Sequence, residues 1–216
     1  MVAFIYLCIL LFIIIFSLYL IYLSYNKCPI KIRKFYLISL SIIVVRYFSL
    51  LSLWLIQTQR IIYFIKVLTQ LSFMAIPLLV LAAIYIFLRD ENRSFDYNYT
   101  FMVILFLGYC IINIFYKLDI RIDSAFGFIV SYRKLLIPSL IYLIIISSFV
   151  VISLLFVDKP YSNTSGMRLL LISLIITLIE FVIFVGGFRT FPYPLIGEMC
   201  ILGCSYKAIS TFKIKK

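Results

Sequence analysis

VAFIYLCILLFIIIFSLYLIYLS, residues 2–24, runs without one charged side chain. A helix needs about 20 apolar residues to cross a hydrocarbon core about 30 Å thick, and this run meets that length. It has no basic segment in front, exceeds the apolar length of an export signal and ends in SYNKC where a cleavage site needs small residues. It therefore reads as a retained first helix. Working outward, comparable runs fall at about 35–56, 61–88, 99–118, 135–157, 168–189 and 195–212.

Composition supports the same reading, with 65% hydrophobic and only 13% charged residues and a mean hydropathy of +1.19, far from the balance of soluble domains. Lipid cannot satisfy stray backbone groups, and the runs are continuous where barrel strands alternate, so the spans are helices. The expected fold is all-α: a polytopic transmembrane bundle of seven spans, six plus one weak, forming a single membrane-embedded domain over residues 1–216. The seventh run is the weak one, short, preceded by Pro192 and Pro194, and complete only if Lys207 snorkels to the interface. Its alternative is to lie in the interface. The third run is long enough to tilt, and Pro77 is expected to kink it.

Lysine and arginine set orientation because they accumulate on the cytoplasmic side. Lys27, Lys31, Arg33, Lys34, Arg89, Arg93, Lys159, Arg168, Lys207, Lys213, Lys215 and Lys216 share one side, against Arg60, Lys117, Arg121, Arg133, Lys134 and Arg189 on the other. The excess puts the N-terminus outside and the C-terminus in the cytoplasm. The sequons at Asn92, Asn98 and Asn163 oppose this, because they fall on the side assigned as inside. In KLDIRIDSAFGFIVSYRK, residues 117–134, charges at 117, 119, 121 and 123 alternate with apolar residues. A period of two implies an extended segment, either a plain connector or a lid or partner-contact loop.

The charges inside the spans are the candidate functional residues. Arg46, in IIVVRYFSLL at 42–51, lies ~16 Å past Phe35, near mid-membrane. A charge there costs about 2.5–3.5 kcal/mol and calls for a partner inside the bundle. Glu180, ~18 Å past Arg168, stands at nearly the same depth. Ser39 and Ser49 share the Arg46 face and Ser173 and Thr177 the Glu180 face, so an Arg46–Glu180 ion pair between spans two and six is expected, with hydroxyls taking its spare hydrogen bonds. A second pair, Lys66 with Glu198, is expected nearer the outer surface, each counted about 6–9 Å inward from its span's start. Gln70, Asn113 and Thr177 are the remaining candidate polar lining. Such charges serve either as structural glue between helices or as an ion or ligand pathway.

The chain has no histidine, which removes bis-histidine haem, Ser-His proteolysis and HExxH zinc chemistry. No aspartate sits inside a span, and no GxxxxGK[ST] or GxGxxG motif is present. The five cysteines form no disulfide or zinc pattern and read as packing residues. The expectation is a non-enzyme without cofactor or metal. Net charge +12 comes from residues flanking the spans and suits anionic headgroups better than nucleic acid.

The expected partners are the bilayer and a protein bound in the membrane or at the basic tail KAISTFKIKK. Seven spans with an outside N-terminus resemble, in topology alone, the membrane half of seven-span sensory receptors, a resemblance that assigns no residues. The expected role is a membrane-embedded sensor or complex subunit of the cell membrane. The alternative is a small-solute or ion transporter or channel using the Arg46 and Glu180 region.

Overall fold

The structure, a computed structural model, describes residues 2–55, 59–88, 95–123 and 125–212. Arg89, Asn92, Arg93, Lys213, Lys215 and Lys216 lie outside them. In chain order the elements are α1 (Val2–Lys27), α2 (Ile30–Leu55), α3 (Gln59–Ile65), a 3-10 turn (Leu68–Gln70), α4 (Ser72–Leu88), α5 (Asp96–Phe115), β1 (Leu118–Asp123), β2 (Gly127–Tyr132), α6 (Leu136–Val157), α7 (Thr164–Val185) and α8 (Ile196–Ser210). Six of the described stretches are long and apolar enough to cross a membrane, with α3, the turn and α4 together making the third.

The bundle is built around α4. From Met74 to Leu88 nearly every side chain is buried, as expected of a helix that is apolar all round. α2, α5, α6, α7 and α8 pack against it, and α1 closes over α2 and α8. α5 buries only Leu105 and Tyr109 fully, with Tyr99, Phe101, Met102 and Cys110 partly buried against the core.

At one end, the hairpin side, Gly127 sits against Leu53 and Trp54 at the end of α2, and the Tyr6 ring of α1 meets Phe126 and Phe191. At the other, the tail side, Lys31 pairs with Asp96 at 2.9 Å and the Asn163 N–H donates to Phe87 O. Asn163 also caps α7, its side chain accepting from the Gly166 N–H, so this sequon position has a structural use.

The period-two segment is a hairpin. β1 and β2 pair antiparallel from Leu118–Tyr132 to Asp123–Gly127. Asp123 Oδ1 accepts from the Ala125 and Phe126 N–H groups, and Gly127 takes φ +72°, a conformation that favours glycine.

Two expectations change. The third span is interrupted at residues 66–71, a turn ahead of Pro77, which lies within an uninterrupted α4. Lys66, Thr69, Gln70 and Ser72 crowd that stretch with polar groups that compete for the backbone, and Thr69 Oγ1 donates to Lys66 O. The expected seventh span is the fifteen-residue α8, ~22 Å long and short of the ~30 Å core. Its Glu198, Ile201, Leu202, Cys204, Ser205 and Ala208 are buried in the bundle.

Candidate functional site: a buried ion pair beneath a capped cavity

α7 ends in a tight reversal. Gly187, at φ +95°, lets its own N–H bond to Phe184 O and the Phe188 N–H to Ile183 O, closing the last helical carbonyls. The chain at 188–195 then folds back into the bundle, so α8 begins at the level of Glu180, one turn and more below the end of α7. Glu180 receives that start: Oε1 accepts the Leu195 and Ile196 N–H groups at 2.9 and 3.0 Å, and Oε2 accepts that of Gly197 at 2.6 Å. A carboxylate at a helix N-terminus meets unpaired donors and the positive end of the dipole. The close approach needs Gly197, because a Cβ there would stand 2.5 Å from Thr177 Cα.

In the first turn of α8, Glu198 meets Arg46. Arg46 is 2% exposed and Glu198 3%, and Nη1 donates to Glu198 Oε2. Tyr47, fully buried, donates its hydroxyl to the same oxygen at 2.6 Å. Arg46 Nε donates to Thr69 O at 3.1 Å. That carbonyl belongs to the interruption between α3 and α4, as does Val67 O, which accepts from Tyr109 Oη at 2.6 Å. Irregular backbone inside a membrane protein persists where side chains satisfy it, as these two do. The arginine thus compensates a carboxylate from α8 and a freed carbonyl from the third span.

The expected partners are therefore exchanged. Arg46 pairs with Glu198, not Glu180, and Glu198 does not pair with Lys66. Depth counted from Pro194 assumed that residue lay at the surface, whereas the inward fold of 188–195 carries Glu198 down to Arg46. Lys66 has its ammonium 4.9 Å from the Tyr63 ring centre. Thr177, expected to face α2 beside an Arg46–Glu180 pair, instead packs against Gly197 of α8, and its hydroxyl donates to Ser173 O. Ser39 and Ser49 likewise donate to carbonyls of their own helix, Phe35 O and Val45 O, leaving Tyr47 and Thr69 to complete the ion pair. Asn113 donates to Tyr109 O and accepts from Tyr132 Oη at 3.4 Å, on the hairpin side of α5.

Above the pair lies a cavity of about 40 Å³, room for a few water molecules. Arg46 and Gln70 contribute to its wall, with Val130 and Tyr132 of the hairpin, Phe73 and Phe181 of the helices, and Arg189 and Tyr193 of the inward-folded segment. Tyr193 clasps the cap together: its hydroxyl accepts from the Val130 N–H at 2.9 Å and donates to Val130 O at 3.2 Å. Gln70 Nε2 donates to the same carbonyl at 3.3 Å. Burial pushes the Tyr193 hydroxyl up to about 12, against the pull of the Val130 backbone and of Arg46, so it remains a donor at neutral pH.

The sequence marks Arg189 only as an outer-side basic residue and Tyr193 only as a tyrosine near an interface, and it gives these two, Tyr47 and Thr69 no place in the site. The adjacency of Tyr47 to Arg46 and the paired Pro192 and Pro194 were the available signals. Among the described residues no cluster of ligating side chains suits a metal ion. No known family model matches the chain, and no curated protein matches it significantly in sequence.

Proposed function

We propose that this multi-pass membrane protein is a non-enzymatic sensor or complex subunit of the cell membrane, with its input at the hairpin-side cavity and its output at the tail-side end of α8. The observation that carries this is the seating of α8. Its first turn holds Glu198 against the cavity residue Arg46 and is clasped by Glu180, while Lys207 near its other end reaches Ser165 of α7. A helix carries a displacement at one end to the other, and buried packing makes such elements switch between discrete seats.

Separating a buried ion pair by removing one partner costs about 3–5 kcal/mol. A ligand that shifts α8 must therefore offer Arg46 a replacement for Glu198, which favours an anionic group. The lysine and arginine excess favours a cytoplasmic tail side, which would offer the basic tail to anionic headgroups or a protein partner.

Transport is the second reading, favoured by the interrupted third span beside Arg46, since broken helices are common at transporter sites. Two experiments separate them. Purification of the full chain in mild detergent is expected to carry a stoichiometric protein partner, lost when Lys207, Lys213, Lys215 and Lys216 are replaced by glutamate. Anion flux in reconstituted vesicles that disappears in Glu198→Gln would assign transport and overturn the sensor reading.

A further inference from the structure

On the outer flank of α7 a second concavity, about 380 Å³, runs between that helix and the inward-folded segment. Ile176, Ile179 and Ile183 form one wall, spaced by three and four residues and so on one face. Pro194 and Ile196 face them across the groove. The same side of α7 exposes Ile172, Ile175, Ile179, Val182 and Ile183. In a spanning helix these side chains meet acyl chains, so the groove opens to the bilayer and not to water.

At its head stands Arg189. The Gly187 reversal turns the chain so that this residue lines the groove four positions past the end of α7, just outside the spanning stretch Thr164–Val185, where an interface is expected. Its guanidinium carbon lies 4.6 Å from the Phe184 ring centre. Among the described residues the ion pairs are Lys31–Asp96 and Arg46–Glu198, so Arg189 has no carboxylate. Glu180 also lines the groove, but its oxygens already accept the three N–H groups at the start of α8. Phe184, Arg189, Tyr193 and Pro194 border both this groove and the Arg46 cavity. Arg189 stands in the partition between an apolar slot and a polar chamber.

We infer that one anionic membrane lipid occupies this flank, an acyl chain along Ile176, Ile179 and Ile183 and its acidic headgroup on Arg189, at the entrance to the Arg46 cavity. This deepens the sensor reading by naming the class of ligand, and it rests on that reading only in taking the cavity as the input. An exposed arginine at headgroup level attracts acidic lipid, and a guanidinium binds phosphate oxygens by paired hydrogen bonds that a zwitterionic headgroup offers less freely.

The test is native mass spectrometry of the full chain in mild detergent, titrated with phosphatidylglycerol or phosphatidylcholine of the same acyl chains, and with glycerol phosphate as the headgroup alone. One phosphatidylglycerol per chain is expected, held about tenfold more tightly than phosphatidylcholine. Arg189→Gln should remove that preference and Arg189→Lys keep part of it. Ile179→Trp, which fills the groove, should abolish the tight site, whereas Ile172→Trp, elsewhere on the same exposed flank, should not. Both tryptophans replace exposed side chains, so folding is expected to survive, and melting temperatures check it.

Equal retention of the two lipids, an undiminished preference in Arg189→Gln, or full binding in Ile179→Trp overturns the proposal. Displacement of the lipid by glycerol phosphate at similar concentration also does so, and assigns a soluble anion. Partner capture is measured separately, so loss of the lipid site with the partner retained refutes this inference and leaves the sensor reading standing.

Discussion

Replacing Glu198 by glutamine keeps the side chain's size and an acceptor for Tyr47 but removes its charge, leaving the Arg46 guanidinium, 2% exposed, without a carboxylate. Breaking a buried ion pair from one side costs about 3–5 kcal/mol, against a total stability of about 5–15 kcal/mol for a typical domain. Arg46→Met should cost a similar amount, because Glu198 then keeps only Tyr47 and Thr69 O loses its donor. Removing both charges, Arg46→Met with Glu198→Gln, should cost no more than either change alone, because no buried charge is then left unpaired. The coupling energy in this double-mutant cycle is therefore expected at about 3 kcal/mol, a roughly hundredfold effect on the folded-to-unfolded ratio. Unfolding by SDS titration in mixed micelles, followed by circular dichroism, measures each corner. In the parallel cycle Arg46→Met with Glu180→Gln, coupling should stay within about 0.5 kcal/mol. Additive losses for Arg46 and Glu198, or stronger coupling of Arg46 to Glu180, would refute the pairing.

Three further outcomes follow from the packing. Gly197→Ala places a methyl group against the Thr177 backbone and should cost about 1–3 kcal/mol, whereas Gly203→Ala, where a Cβ meets nothing within 4 Å, should be neutral or stabilising, both read from the same titration. Tyr193→Phe deprives the Val130 N–H of its acceptor and should cost about 1–3 kcal/mol, with faster hydrogen exchange confined to residues 127–132 and their neighbours. Lys31→Ala removes an exposed ion pair with Asp96 and should change stability by less than about 1 kcal/mol.

How much was legible in the sequence follows from what each signal measures. Unbroken apolar length reports solvent, so the membrane assignment and six of the spans were readable. Alternation in KLDIRIDSAFGFIVSYRK reports an extended segment, but not that its two halves pair with each other as a hairpin, which depends on the turn at Asp123–Gly127. Helical phase put Ser173, Thr177 and Glu180 on one face, but the neighbour expected there was α2, whereas that face meets α8. Depth was the unreliable quantity, because counting residues from a span's end presumes that the end lies at the surface. The segment 188–195 descends instead, lowering Glu198 to Arg46 and bringing the start of α8 to Glu180. The interruption before α4 was equally hidden, since Thr69 O finds its donor on α2, outside any local pattern. Arg189's place beside the groove was hidden too, because it comes from the Gly187 reversal.

The pairing that seats α8 is open to direct observation by solid-state NMR. In lipid bilayers, with arginine nitrogen and glutamate carboxyl carbon labelled, dipolar recoupling reports which carboxylate touches the Arg46 guanidinium, and Glu180→Gln and Glu198→Gln assign the signal. A contact that survives Glu180→Gln and vanishes in Glu198→Gln is the expected result. A contact that vanishes in Glu180→Gln, or a guanidinium near no carboxylate at all, contradicts it.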